Sequence, residues 1–314
     1  MRPLRQTFCG VATTLCLLAL PSFAQETEDM SQILAQGAKV EKLEGNFKFV
    51  EGPVWVPKGG YLLFSDIPAD TIYRWREGKK SVSFRRPAGN TNGHALDHEG
   101  MLVSCQHNRL VTRTEKSGQL TILADRYEGK RLNSPNDLAI KSNGDIYFTD
   151  PVYGITPEQK ELDFRGVYRL TPDKKLTLLV KDFVGPNGIA FSPDEKRLYV
   201  ADSEVNHIRV FAVQPDGSLA NGRIFADLKS PGVDGGADGM KVDEKGNIYA
   251  TGPAGVWVFA PSGRLLGKIL PPEVPANCGF GDKDFKTLYM TARTGLYRIR
   301  LQIPGNRLKA KVSR

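Results

Sequence analysis

Residues 134–151 read SPNDLAIKSNGDIYFTDP, residues 185–204 read GPNGIAFSPDEKRLYVADSE, and residues 236–253 read GADGMKVDEKGNIYATGP. Each stretch begins with small or polar residues, continues into an apolar strand, turns, and ends in a second strand rich in Leu, Ile, Tyr and Val. Asn143-Gly144, Pro193-Asp194 and Lys245-Gly246 separate the apolar alternations, which is typical of tight hairpins rather than helices. This self-similarity indicates a repeat architecture.

The unit recurs along the whole chain after the first residues. Looser copies begin at Glu51, Asn92 and Asn277, and a third strand follows in most copies. The spacing of about 40 to 50 residues is that of propeller blades with four strands each. We therefore predict an all-β fold, a six-bladed β-propeller with four-stranded antiparallel blades around a central metal-binding tunnel. A parallel β-helix has shorter repeats, and a sandwich does not repeat in this way.

The segment before the first full copy has a predicted role in closing the ring. Residues 33–50 precede that copy and are expected to supply a strand that pairs with the last blade. Such closure leaves no long exposed sheet edge.

The N-terminus predicts export. Arg2 and Arg5 precede an apolar run from Val11 to Leu20, and small residues up to Ala24 offer a cleavage site. The run is shorter than the roughly 20 residues that span a membrane, so a stable membrane anchor is not expected. We predict a signal peptide over residues 1–24, a single propeller domain over residues 25–314, and a periplasmic or secreted location.

Charge and cysteine content narrow the possible partners. The formal net charge of +8 includes the two signal arginines, and the remaining excess forms no basic stripe, so nucleic acid is not expected as a partner. The mature chain keeps Cys105 and Cys278, between which a disulfide is possible in an oxidising compartment. Neither that pairing nor the oligomeric state follows from the sequence.

Common catalytic motifs are missing. The sequence contains no Gly-x-Ser-x-Gly elbow, no Cys/His metal cluster and no phosphate-binding Gly-Lys-Ser/Thr motif. These absences exclude the usual serine-hydrolase and nucleotide-hydrolase classes and zinc sites built from Cys/His clusters.

Equivalent positions of the repeats converge at the tunnel of a propeller. Aligning the copies places these residues at the start of the innermost strands: Glu51, Gly93 or His94, Asn136, Asn187, Asp238, and Cys278 or Gly279. Two carboxylates and two carboxamides thus supply oxygen ligands for a divalent metal, with calcium favoured and magnesium, zinc or manganese left open. Taken singly, each of these residues is also a common turn residue.

With these residues placed, the sequence resembles the senescence-marker/gluconolactonase family, which includes regucalcin and bacterial gluconolactonases. The resemblance covers the mature chain and rests on four motifs: Glu51-Gly-Pro-Val-Trp55, Asn133-Ser-Pro-Asn136-Asp137, Pro186-Asn-Gly-Ile-Ala-Phe191 with Ala201-Asp-Ser203, and Ala237-Asp-Gly-Met240. It implies hydrolysis of a small sugar lactone and metal ligation by Glu51, Asn187 and Asp238. Asn136 is implied either at the metal or against substrate.

Further roles are expected around this metal. A bound metal polarises the lactone carbonyl while a carboxylate takes the proton of the attacking water, and Asp238 is the candidate base. Asn92, His94 and Asn133 are candidates to bind the substrate, although His94 is equally suited to a structural role. Asp150 and Asp202 end second strands and are expected to orient the ligand amides.

Two other functions stay open. The same metal and tunnel could activate water against other esters, including phosphotriesters. A propeller that uses its metal structurally and binds a protein or carbohydrate partner is the alternative without catalysis, because fold alone does not decide function.

Overall fold

The strands of residues 29–310, the part of the chain that this computed structural model describes, form six four-stranded antiparallel sheets and one two-stranded hairpin. The predicted signal peptide lies outside this range. Within the range, no helix is long and apolar enough to cross a bilayer, and the 3₁₀ helix Pro157–Gln159 is a single turn in a loop.

The sheets are the blades of a propeller. Strand β1 (Glu41–Glu44) comes first in the chain but belongs to the last blade. Blade 1 contains β2 (Val50–Val56), β3 (Tyr61–Asp66), β4 (Thr71–Trp75) and β5 (Val82–Arg85). Blade 2 contains β6 (Thr91–Leu96), β7 (Leu102–Gln106), β8 (Leu110–Thr114) and β9 (Leu120–Ala124). The hairpin of β10 (Arg126–Tyr127) and β11 (Lys130–Arg131) follows.

The other four blades repeat this order. Blade 3 contains β12 (Leu138–Ile140), β13 (Ile146–Asp150), β14 (Gly166–Leu170) and β15 (Leu176–Val180). Blade 4 contains β16 (Pro186–Phe191), β17 (Arg197–Asp202), β18 (His207–Val213) and β19 (Leu219–Asp227). Blade 5 contains β20 (Met240–Val242), β21 (Ile248–Gly252), β22 (Gly255–Phe259) and β23 (Leu265–Ile269). Blade 6 contains β24 (Pro275–Gly281), β25 (Thr287–Ala292) and β26 (Gly295–Arg300), completed by β1.

The N-terminal strand closes the ring, as predicted. Strand β1 pairs antiparallel with β26, with Lys42 opposite Tyr297. The innermost strands contact their neighbours in the order β2, β6, β12, β16, β20 and β24, and β24 contacts β2 again. Because the last sheet holds both ends of the propeller, closure does not depend on a covalent link. The prediction of a six-bladed all-β propeller is confirmed.

Aromatic side chains fill the space within and between blades. The second strands of four blades carry an equivalent, fully buried tyrosine: Tyr147, Tyr199, Tyr249 and Tyr289. Tyr147 packs edge-to-face on Phe191 of the next blade at 5.0 Å between ring centroids, and Tyr249 packs in the same way on Phe280 at 5.1 Å. Such pairs add to the stabilisation from area burial alone. They hold blade 3 against blade 4 and blade 5 against blade 6.

The two cysteines of the propeller do not form the disulfide that the sequence allowed. Cys105 and Cys278 are both free and buried. Burial raises the pKa of the Cys278 thiol to about 12, so this thiol stays protonated. Both cysteines therefore behave as small apolar residues of the core.

Candidate functional site

Strand register decides which residues share the mouth of the tunnel. In four blades the innermost strand pairs with its neighbour through an irregular step, as between Glu51 and Val54 in blade 1 and between Thr91 and His94 in blade 2. Aligning the six blades on the pairing of their first two strands places these residues at one equivalent position: Glu51, Asn92, Asn136, Asn187, Asp238 and Ala276. The predicted ligands Glu51, Asn136, Asn187 and Asp238 are thus equivalent. Asn92 and Ala276 take the places that the alignment assigned to Gly93 or His94 and to Cys278 or Gly279.

The residue after each of these positions is glycine in four blades, because neighbouring strands approach closely there. A Cβ added at Gly52 would lie 2.1 Å from the carbonyl oxygen of Asn92, and one added at Gly188 would lie 2.1 Å from that of Asp238. These glycines let the innermost strands meet at the tunnel, which brings side chains far apart in sequence together.

Blades 3 and 6 carry polar side chains in place of this glycine. Asp137 and Asn277 occupy the position, both are buried, and Asn277 Nδ2 lies 3.5 Å from Asp137 Oδ2. Blades 3 and 6 are opposite each other in a ring of six, so this contact spans the tunnel. The repeat pattern assigned neither residue a role, although both occupy the same repeat position as the glycines.

A lysine also reaches into the tunnel. Lys241 Nζ lies 3.8 Å from Asp137 Oδ2 and donates a hydrogen bond to the carbonyl oxygen of Met240 at 2.9 Å. Its position in the tunnel was not predicted from the sequence, because a single lysine inside a strand gives no signal of which face of the sheet it occupies.

Glu51 and Asp238 are held in surroundings that oppose their negative charge. Burial, followed by repulsion from Asp137, raises the pKa of the Glu51 carboxyl to about 7. Burial also raises the pKa of Asp238, with added repulsion from Glu51 and Asp137, against stabilising hydrogen bonds from Asn187 and Gly239. Two carboxylates that repel each other in this way are suited to share a cation.

Asn187 is oriented by a chain of hydrogen bonds. Its Nδ2 donates to Ser203 Oγ at 2.9 Å, and Ser203 Oγ donates to the carbonyl oxygen of Ala237 at 2.6 Å. The Asn187 Oδ1 atom is buried and has no hydrogen-bond partner within the described residues. A buried carboxamide oxygen of this kind is an available metal ligand.

The predicted supporting aspartates hold backbone amides just ahead of the tunnel residues. Asp202 accepts hydrogen bonds from the N–H groups of Val184 and Gly185, both at 2.8 Å. Asp150 accepts one from the N–H of Asn133 at 2.8 Å, and burial raises the pKa of Asp150 to about 7. Both therefore fix the loops that lead to Asn187 and Asn136, rather than contacting those side chains directly.

The three candidate substrate residues are buried polar side chains. Asn133 is fully buried, and its Nδ2 donates to the carbonyl oxygen of Phe164 at 3.0 Å. Asn92 Nδ2 lies 3.3 Å from His107 Nε2. The Oδ1 atoms of Asn92 and Asn133 are buried without partners among the described residues. Their contact with a substrate stays a prediction.

His94 is enclosed between two serines. Its Nε2 lies 2.8 Å from Ser65 Oγ and its Nδ1 lies 2.8 Å from Ser104 Oγ. Ser65 Oγ also donates to the carbonyl oxygen of Asn92 at 3.0 Å, which assigns the ring proton to Nε2. Burial lowers the pKa of His94 to about 3, so the ring is neutral. These contacts join blades 1 and 2, and a role of His94 toward substrate stays a prediction.

The site relies on amide oxygens as much as on carboxylates. Among residues 29–310, no three His, Cys, Asp or Glu side chains are grouped as a metal centre. The available donors are instead Glu51, Asp238 and the carboxamides of Asn136 and Asn187, which are neutral oxygen ligands of the kind that calcium accepts. The residues present fit a divalent cation.

Sequence comparison relates the chain to known lactonases. Residues 49–294 match the model described as SMP-30/Gluconolactonase/LRE-like region. A gluconolactonase from Zymomonas mobilis is 34% identical over 303 residues, covering 88% of this chain and 85% of the relative. An L-arabinolactonase from Azospirillum brasilense is 28% identical over 250 residues, covering 78% of this chain and 81% of the relative.

Solved structures share the propeller. A gluconolactonase from Xanthomonas campestris superposes with a TM-score of 0.80 at 37% identity, over 87% of this chain and 92% of that one. A calcium-binding regucalcin from Agrobacterium tumefaciens gives a TM-score of 0.69 at 18% identity, over 85% of this chain and 95% of that one. The similarity to the regucalcin structure supports the fold alone.

Proposed function

The chain belongs to the SMP-30/Gluconolactonase/LRE-like family, and we propose from this premise that it hydrolyses a sugar lactone such as gluconolactone to the aldonic acid. The observation that carries the proposal is the convergence of Glu51, Asn136, Asn187 and Asp238 at one register of the tunnel. The gluconolactonase and L-arabinolactonase relatives support this substrate class.

The proposal includes a divalent cation, with calcium favoured by the oxygen donor set. Glu51, Asn136, Asn187 and Asp238 would hold it, and the unpartnered Oδ1 of Asn187 supports that assignment. When bound, the cation supplies a Lewis acid for the lactone carbonyl.

Asp238 is the group that we assign to take the proton from the attacking water. Burial and repulsion from Glu51 and Asp137 raise the pKa of its carboxyl and so strengthen it as a base. Ligation of a cation lowers that basicity again, so the two roles compete at one carboxylate. The low pKa of His94 argues for the carboxylate over the imidazole.

Polar groups at the tunnel mouth would orient the sugar. The buried Oδ1 of Asn92 has no partner within the described part of the chain and is an acceptor for a sugar hydroxyl. Sugar hydroxyls pair well with such carboxamides because both donate and accept. Asn133 is assigned the same kind of contact from the neighbouring blade.

Export to the periplasm or the medium is part of the proposal and rests on the N-terminal sequence alone. N-terminal sequencing of the protein recovered from the native host tests it. A mature chain that begins at Gln25 is expected, and an intact Met1 contradicts export by cleavage.

The activity is tested with purified mature protein and glucono-1,5-lactone. Acid release is followed above the spontaneous rate, after treatment with a chelator and again with calcium restored. We expect activity that is lost with the chelator and recovered with calcium. Activity that survives the chelator contradicts the dependence on a metal but not the lactonase activity. Absence of activity with every divalent metal favours hydrolysis of other esters or phosphotriesters, or a binding propeller.

A further inference from the structure

Lys241 crosses the tunnel to meet a carboxylate of a blade that is not its neighbour. Lys241 belongs to blade 5 and Asp137 to blade 3, with blade 4 between them. The 3.8 Å contact between Lys241 Nζ and Asp137 Oδ2 therefore passes across the channel itself. Asp137 is also approached from the opposite blade by Asn277 Nδ2, at 3.5 Å. These three residues come after the position of the predicted ligands on their strands, and we call them the floor of the tunnel.

No other charged residue occupies the level of Lys241 on the innermost strands. Lys241 pairs with Tyr249 of the second strand, and Ala139 pairs with Tyr147 in the same way. The level is thus the position on each innermost strand that lies opposite this residue of the second strand, which is a buried tyrosine in four blades. The five equivalent residues are Val54, Ala95, Ala139, Ala190 and Gly279. They are uncharged and mostly small, which leaves room for one long side chain at the centre.

The net charge of the ionised tunnel side chains matches that of one divalent cation. Three carboxylates are close enough to repel one another: Glu51, Asp137 and Asp238. Lys241 supplies the positive charge that attracts Glu51 and Asp137. When all are ionised the sum is −2, the charge that one divalent cation neutralises. Without the ammonium, Asp137 would be a buried carboxylate with no cationic partner among the described residues, an arrangement of high energy.

We propose that Lys241 is the fixed counter-cation of the tunnel. It holds Asp137 against Asn277 as the floor, and its positive charge weakens the affinity of the ligand ring above for a divalent cation. This inference rests on the cation site of the proposed function. It concerns the strength of binding and not the presence of the site.

The test is calcium binding to the metal-free protein, measured by isothermal titration calorimetry. Lys241→Met removes the charge at similar length and is expected to bind calcium at least about fivefold more tightly than wild type, the factor that Coulomb's law gives across several ångströms even at the dielectric of water. Lys241→Arg keeps the charge and is expected to bind as wild type does. Asp137→Asn leaves the ammonium unbalanced and is expected to weaken binding, and the double variant Lys241→Met/Asp137→Asn returns toward wild type.

The direction of the change in calcium affinity distinguishes an electrostatic role of Lys241 from a purely structural one. Loss of a supporting side chain weakens binding, so equal or weaker binding by Lys241→Met, with circular dichroism intact, overturns the inference while the cation site stands. If Lys241→Met does not fold, Lys241→Gln makes the same change of charge. Calcium binding by neither wild type nor variant overturns both the cation site and the inference.

Discussion

The side-chain amide of Asn187 donates to Ser203 Oγ at 2.9 Å, and this contact fixes which end of the carboxamide faces the tunnel. A carbonyl oxygen can only accept, so the Ser203 proton is committed to the carbonyl of Ala237, 2.6 Å away. Ser203 Oγ must then accept from Asn187, which assigns nitrogen to the serine side. The Oδ1 atom is consequently left for a ligand.

Replacing Ser203 with alanine is expected to weaken calcium binding about 10-fold to 100-fold, the usual effect of removing a hydrogen bond that orients a metal ligand. The carboxamide of Asn187 would lose its fixed orientation while the ligand atom itself remained. Titration calorimetry with calcium measures the change. Ser192→Ala is the matched control, because Ser192 bonds within a hairpin of the same blade, to Asp194. Unchanged affinity in Ser203→Ala would contradict the assigned orientation.

Glu51→Gln and Asp238→Asn are expected to remove most calcium affinity and most lactone turnover. Each change keeps the shape of the side chain and deletes a negative charge that a buried divalent cation requires. The β-rich circular dichroism should be largely intact, because neutral side chains relieve the repulsion that raises both pKa values. Glu99→Gln, at an exposed turn, is the control. Full chelator-resistant activity in both variants would contradict a metal-dependent lactonase.

Most of the fold was predictable from the sequence, because each blade repeats one hydrophobic pattern and one hairpin signal. The six-bladed ring followed from the repeat count, and the closing role of residues 33–50 followed from their position before the first full copy. The register within the weaker copies did not. At Thr91 to His94 and at Pro275 to Asn277 the strands contain an irregular step, and the tunnel position lies one to three residues earlier than the alignment placed it.

The candidate site was predictable only where the repeat motif itself carries the side chain. Glu51, Asn136, Asn187 and Asp238 stand at one repeat position and were found by alignment. Asp137 and Lys241 act through contact across the tunnel, between blades 3 and 5. No local pattern reports such a contact, since it depends on ring geometry rather than on spacing within a repeat. The same holds for the two serines that enclose His94.

Gly188→Ala is expected to destabilise the protein by about 1 to 3 kcal/mol, the usual cost of overpacking. The new Cβ would lie 2.1 Å from the carbonyl oxygen of Asp238, a backbone atom that cannot move without shifting blade 5. Urea unfolding measures the loss. Gly45→Ala is the control, since its Cβ would meet the flexible end of Lys42. Equal stability of the two variants would show that the blades are not held this close.

The pH dependence of stability is expected to contain a contribution from Asp150. Burial raises the pKa of this carboxyl from 3.8 to about 7 in the folded protein. A carboxyl of this kind is protonated more readily in the folded state, so its contribution to stability is fully present below about pH 4 and is lost as the pH rises through 7. The metal-free protein should therefore lose stability between pH 5 and 8, in urea unfolding with chelator present.

Asp150→Asn should reduce that loss, because the asparagine side chain does not titrate, while the buried carboxyls of Glu51 and Asp238 keep their own share of it. It can still accept the hydrogen bond that Asp150 receives from the N–H of Asn133, so the loop ahead of Asn136 keeps its anchor. At pH 8 the variant should be more stable than wild type, on the order of a few kcal/mol, while near pH 4 the difference should vanish or reverse. Asp216→Asn, at an exposed turn, should leave the difference between pH 5 and 8 almost unchanged. An Asp150→Asn protein that loses as much stability as wild type over this range would mean that Asp150 is already ionised at pH 5.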